Sequence, residues 1–162
     1  MRKVRIAEQL LFLAVVFGLN GCRMDFTSAT SDITTSAPNE EQVAFCRKVM
    51  YVSQGLEIKP LGYSIRYGLD DVIRFKFLAY TDDPGEVFES TFVDKAKFNG
   101  EFSLSALKSE SSEPWWEPDG NAKLGANLSV PPPDSKGTRG LNIAFEDNGD
   151  DTLTVYVLWH ET

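Results

Sequence analysis

Hydrophobic and polar positions alternate most regularly in two stretches of the chain. Tyr63, Ile65, Tyr67 and Leu69 alternate with Ser64, Arg66 and Gly68, and after Asp70-Asp71 the residues Ile73, Phe75, Phe77 and Ala79 alternate with Arg74, Lys76 and Leu78. Near the C-terminus Leu141, Ile143 and Phe145 alternate with Asn142 and Glu146, and beyond Asn148-Gly149 the residues Leu153, Val155, Val157 and Trp159 alternate with Thr152, Thr154 and Tyr156. Period two predicts half-buried strands, and Gly68 with the two aspartates, like Asn148-Gly149, marks a reversal, so each stretch reads as a β-hairpin. Helical spacing is found in two places. Asn39 caps a predicted helix over residues 40–50, with Gln42 three residues on and Val43, Cys46 and Met50 on one face. Thr81-Asp82-Asp83-Pro84 starts another, with Val87, Phe88, Thr91 and Phe92 on one face and Asn99-Gly100 as its stop. A short helix or turn around Phe102, Leu104 and Leu107 and a short strand within Ala122–Val130 are weaker expectations. The pattern predicts an α+β fold, a small two-layer domain. Its antiparallel sheet has about four strands in two hairpins, with one or two helices on one face.

The first twenty-two residues follow a different logic. Arg2, Lys3 and Arg5 precede the apolar run Leu10–Leu19, which is followed by Asn20-Gly21-Cys22. Ten apolar residues are too few to span a bilayer, which takes about twenty. A basic start, a short apolar run and a small residue before the cut are the parts of a secretory signal. With Cys22 next to that cut, Leu19-Asn20-Gly21-Cys22 resembles the lipobox of bacterial lipoproteins, although Asn20 stands where a small or aliphatic residue is usual. The resemblance implies a signal peptide over 1–21 and a lipid attachment at Cys22. The mature chain would then be held in the cell envelope on a bacterial membrane, on the periplasmic or extracellular face. An ordinary secretory signal with Cys22 incidental, or a short uncleaved anchor, is the competing reading. Residues 22–39 are rich in Ser and Thr and poor in apolar residues, as a flexible tether would be, so the domain is expected over 40–162.

Charge narrows the partners. The chain carries 16 basic and 24 acidic residues; removing Arg2, Lys3, Arg5 and Glu8 with the signal leaves 13 and 23, a net −10. Such a surface repels nucleic acid and anionic lipid headgroups, so the membrane is reached through acyl chains and the remaining partners are an envelope protein or a glycan. With Cys22 acylated, Cys46 has no partner in the chain and is expected to be a buried free thiol; without acylation a Cys22–Cys46 bridge is open.

Four stretches hold candidate chemistry. Trp115 and Trp116, between Pro114 and Pro118, could stack on a sugar or fill a partner's pocket, or else pin a long loop to the sheet. Glu146-Asp147-Asn148-Gly149-Asp150-Asp151 clusters oxygens but lacks the calcium-loop spacing, and reads as an acidic turn. His160, the one histidine, ends the last strand with no second histidine or thiol nearby in sequence. Glu113 and Glu117 flank the tryptophans, where a glycosidase would need two carboxyls across a sugar ring. No phosphate loop, Cys-x-x-Cys, His-Glu-x-x-His or Gly-x-Ser-x-Gly is present, and no catalytic residue, metal or cofactor is expected. The mature part also resembles small envelope lipoproteins with a Trp-Trp-x-Pro loop ahead of a C-terminal hairpin, a likeness that implies no activity. The function expected is a non-enzymatic binding or structural module; the alternatives are a small cell-wall glycan hydrolase and an inhibitor or immunity-type protein for a basic enzyme.

Overall fold

The structure is a computed structural model that describes residues 32–68, 70–108, 113–118, 121–133 and 137–161. The expected signal segment, Cys22 and the expected tether as far as residue 31 lie outside the described residues. Among those described, six strands form one antiparallel sheet: β1 Ile33–Thr35, β2 Ile58–Arg66, β3 Val72–Ala79, β4 Leu124–Val130, β5 Arg139–Asp147 and β6 Leu153–Glu161. Their spatial order is β1-β2-β3-β6-β5-β4. Helix α1 spans Glu40–Met50, and α2 Pro84–Val87 and α3 Leu104–Lys108 are single turns.

Both predicted hairpins form, as β2–β3 and β5–β6, and pairing β3 with β6 joins them into one sheet. The count of four strands is corrected to six. β4 adds to the free side of β5, and β1 adds to β2 by pairing Ile33, Thr34 and Thr35 with Ile65, Ser64 and Tyr63. The folded domain thus begins by Ile33, inside the stretch expected as tether. Pro60, which has no N–H to donate, pairs with Phe77 beyond the reach of β1, and the register shifts between Pro60 and Gly62.

Helix α1 has its expected bounds and both halves of its capping box. Asn39 Oδ1 accepts from the Gln42 N–H at 2.9 Å, and Gln42 Oε1 accepts from the Asn39 N–H at 2.9 Å. Tyr51 ends it in the left-handed region at φ 58, stacked on Phe92 at 4.3 Å, with its hydroxyl donating to the Pro131 carbonyl. The second helix is shorter than predicted. Asp83 caps it and Pro84 starts it, but Phe88 is already extended, forming a bridge with Val52. Val87 and Phe88 are both buried, and no continuing helix follows them; Phe92 remains partly exposed.

The helices are not confined to one face. The first face of the sheet carries Tyr63, Ile65, Ile73, Phe75, Phe77, Ile143, Val155 and Val157 against Cys46 and Met50 of α1. The opposite face carries a second cluster in which Leu107 of α3, Trp116 and Ala122 meet Ala144, Tyr156 and Leu158. The expected two layers become a sheet covered on both sides. This explains why β6 is buried along most of its length: a strand covered on both faces has no solvent side.

Candidate functional site

The second face is built from three rows of side chains that pairing brings side by side. The first runs Gly62, Lys76, Tyr156, Ala144, Gly125; the second Ser64, Arg74, Leu158, Asn142, Asn127; the third Arg66, Val72, His160, Gly140, Ser129. The first row has a glycine at each end, and aromatic rings fill the space over both. Trp115 occupies the space where residue 62 would carry a Cβ, and Phe102 does the same at Gly125, 2.6 Å from the Cβ position. Trp116 packs edge-on to Tyr156 at 5.5 Å and to Trp115 at 5.8 Å.

Polar contacts fix this cover. Trp116 Nε1 donates to the Leu107 carbonyl at 2.8 Å. Lys76 Nζ donates to the Trp115 carbonyl at 3.1 Å and lies 4.7 Å from the Tyr156 ring centre, and the Tyr156 hydroxyl donates to the Glu117 carbonyl at 3.1 Å. The two tryptophans therefore do not form an exposed pair. Trp116 is 4% exposed and Trp115 is half-buried on the strand.

The aromatic cover ends where the second row begins. Beyond it lies an open cleft of about 530 Å³. Arg74, Leu158 and Asn142 form its floor, Arg66 and His160 continue it, and Ala106 of α3 stands at its wall. Strand alternation directs Arg74 here: its neighbours Ile73 and Phe75 enter the first core, so residue 74 must face the other way. It is only 5% exposed. The amide of Asn142 is oriented by a chain of donors: the Ser103 N–H donates to Asn127 Oδ1 at 2.8 Å, and Asn127 Nδ2 then donates to Asn142 Oδ1 at 2.7 Å. With its oxygen taken, Asn142 keeps an NH₂ on the cleft.

The other sequence candidates fall elsewhere. His160 reaches the cleft edge; its ring fills the space over Gly140, and Nδ1 lies 3.1 Å from the Glu161 carbonyl. Of the rim carboxylates, Glu161 pairs with Arg139 at 2.9 Å. The acidic turn holds itself: Asp147 Oδ1 accepts from the Gly149 N–H at 2.8 Å, and Asn148 Nδ2 donates to Thr152 Oγ1 at 3.0 Å. Glu146 and Asp147 line a second cleft of about 630 Å³ with Asp82 and Lys123. Among the described residues no three His, Cys, Asp or Glu side chains come together as a metal set. Neither Glu113 nor Glu117 lines either cleft. Cys46 is buried and free, and burial pushes its thiol pKa up.

The pair Arg66 and Arg74 was not singled out from the sequence, where both read as the polar half of an alternating strand. A trace of the signal existed: Arg74 lies between Ile73 and Phe75 at the centre of a hairpin, but only the cover over the same face shows that it is buried. Comparison with family models, with curated proteins and with solved structures finds no match to this chain.

Proposed function

We propose that this protein is a bacterial envelope lipoprotein, acylated at Cys22, whose domain serves as a non-enzymatic binding module at the membrane surface. The anchor rests on the signal-like residues 1–21 and the cysteine that follows them. Binding rather than catalysis is favoured by one observation: the open part of the second face is floored by two arginines, an asparagine and a leucine on paired strands. A rigid floor of donors suits recognition of a ligand. The hydrolase alternative needs two carboxylates facing one another across a sugar, and the tryptophans meant to hold that sugar pack on Gly62, Tyr156 and each other. The inhibitor alternative draws on the net −10 charge and predicts a basic partner.

Two measurements test the proposal. Fatty-acid labelling in a bacterial host should mark the wild-type chain and be abolished by Cys22→Ser; label that persists in the variant overturns the anchor. The acylated protein should then capture a partner or ligand from envelope extract. A basic protein released as salt rises would favour the inhibitor reading, and turnover of a cell-wall glycan would overturn the binding one.

A further inference from the structure

We propose that Asn99 is a site of spontaneous deamidation in the folded protein, and that the fold shields the matching Asn-Gly pair at 148–149. The chain holds three such pairs, Asn20-Gly21, Asn99-Gly100 and Asn148-Gly149. The first lies outside the described residues. Glycine matters because it puts no side chain in the way of its own backbone nitrogen. That nitrogen gives up its proton to solvent, attacks the asparagine Cγ and closes a succinimide ring. The Cγ–Nδ2 bond breaks, and Nδ2 takes up a proton and leaves as ammonia. Water, the one co-reactant, then opens the ring, at one carbonyl to aspartate and at the other to isoaspartate.

Both described pairs are exposed, so hydrogen bonding rather than burial separates them. At 99–100 no described residue accepts the Gly100 N–H. The Asn99 side chain bonds only to its own loop: Nδ2 donates to the Lys97 carbonyl at 3.0 Å, and Oδ1 accepts from the Glu101 N–H at 2.8 Å. The second bond closes a ring of atoms that passes through the Gly100 nitrogen, which holds the side chain beside the peptide that attacks it. It also sets a donor on the oxygen that gains negative charge during the attack. At 148–149 these features are reversed. The Gly149 N–H is donated to Asp147 Oδ1 at 2.8 Å, and a carboxylate there opposes loss of the proton. The Asn148 side chain is turned across the hairpin, with Nδ2 donating to Thr152 Oγ1 at 3.0 Å and Oδ1 accepting from Thr154 Oγ1 at 3.2 Å. Swinging Cγ onto the Gly149 nitrogen breaks both. The change at Asn99 has a structural consequence. Asn99 exchanges backbone hydrogen bonds with Gly125, at 2.9 and 3.0 Å, on the outer side of the edge strand β4. Isoaspartate routes the chain through the side chain and moves the Asn99 carbonyl out of that bridge.

The test is peptide mapping by mass spectrometry of the full chain, incubated in buffer and, separately, in guanidinium chloride at the same mildly alkaline pH. Each deamidation adds about 1 Da. In guanidinium both peptides should convert at similar rates. In the fold Asn99 should convert at a rate of the same order as in guanidinium. Asn148 should be slower on the order of tenfold or more, because two hydrogen bonds must first break. Thr154→Val and Asp147→Ala should each raise the Asn148 rate about threefold or more and leave Asn99 unchanged. An Asn99 that stays intact in the fold while converting in guanidinium overturns the proposal, as does an Asn148 that converts as fast as Asn99. A rate at Asn148 that neither variant raises would overturn the contacts named as its shield. Should a variant fail to fold, the ratio of the two rates in the wild-type chain still decides.

Discussion

The indole of Trp115 sits where residue 62 would carry its Cβ, so the two positions are complementary: the strand gives up a side chain and the loop supplies a ring. Gly62→Ala should therefore destabilise the fold by about 1–3 kcal/mol, the range for overpacking a filled site. In a Trp115→Ala background the same alanine should cost far less, because the space is free. Urea denaturation of the four chains of this double-mutant cycle checks the coupling; additive effects would show that the ring does not rest on the strand.

Trp116 makes the deeper contribution. It is buried, packs on Tyr156 and donates to the Leu107 carbonyl, tying the loop to α3 and to the sheet. Trp116→Ala should cost about 3–5 kcal/mol, as large aromatic truncations do. Trp116→Phe, which keeps a ring but leaves the carbonyl without its donor, should cost less. The ordering of the urea midpoints is the measurement. For tests of ligand binding Trp115→Ala is the cleaner variant, since its indole is only half-buried.

Stability should fall at alkaline pH through Cys46 and Tyr63. Burial pushes the thiol up, and burial first, then the neighbouring Cys46 and Tyr67, pushes the Tyr63 phenol from 10.0 up to about 12. Both groups are neutral in the fold and ionise more readily in the unfolded chain. Their contribution is therefore complete below the unfolded pKa values and is lost as pH rises, for Tyr63 across about pH 10 to 12. Tyr63→Phe should flatten the decline above pH 10, and Cys46→Ala its onset nearer pH 9. Urea midpoints measured from pH 8 to 11.5 would show this; a parallel decline in both variants would rule these groups out. The native thiol should also resist alkylation until the chain is unfolded.

The capping box offers a test of α1 alone. Asn39→Ala removes the acceptor for the Gln42 N–H and should cost about 1 kcal/mol. Asn39→Ser or Asn39→Asp should recover most of it. Thermal midpoints of the three variants decide the matter.

Local chemistry made part of this fold legible. The Asn39-to-Gln42 box marks the start of α1, and period-two runs around Phe75 and Val157 mark β2, β3, β5 and β6, because caps and alternation act within a few residues of themselves. Where sequence reasoning overran, a long-range demand had won: Phe88 leaves the predicted helix to bridge Val52. Ile33–Thr35 looks like tether in a run of Ser and Thr, and becomes a strand only because Tyr63–Ile65 offers it an open edge.

By itself the sequence determined the signal-like start, the acidic surface, the first helix and the four alternating strands. Tertiary structure alone decided that the tryptophans cover the sheet and that Arg66, Arg74 and Asn142 share one floor. The reason is register: residues as distant as 62, 74, 142 and 158 are placed on one face by hydrogen-bonded pairing between strands, and no local pattern in any one strand specifies its neighbours.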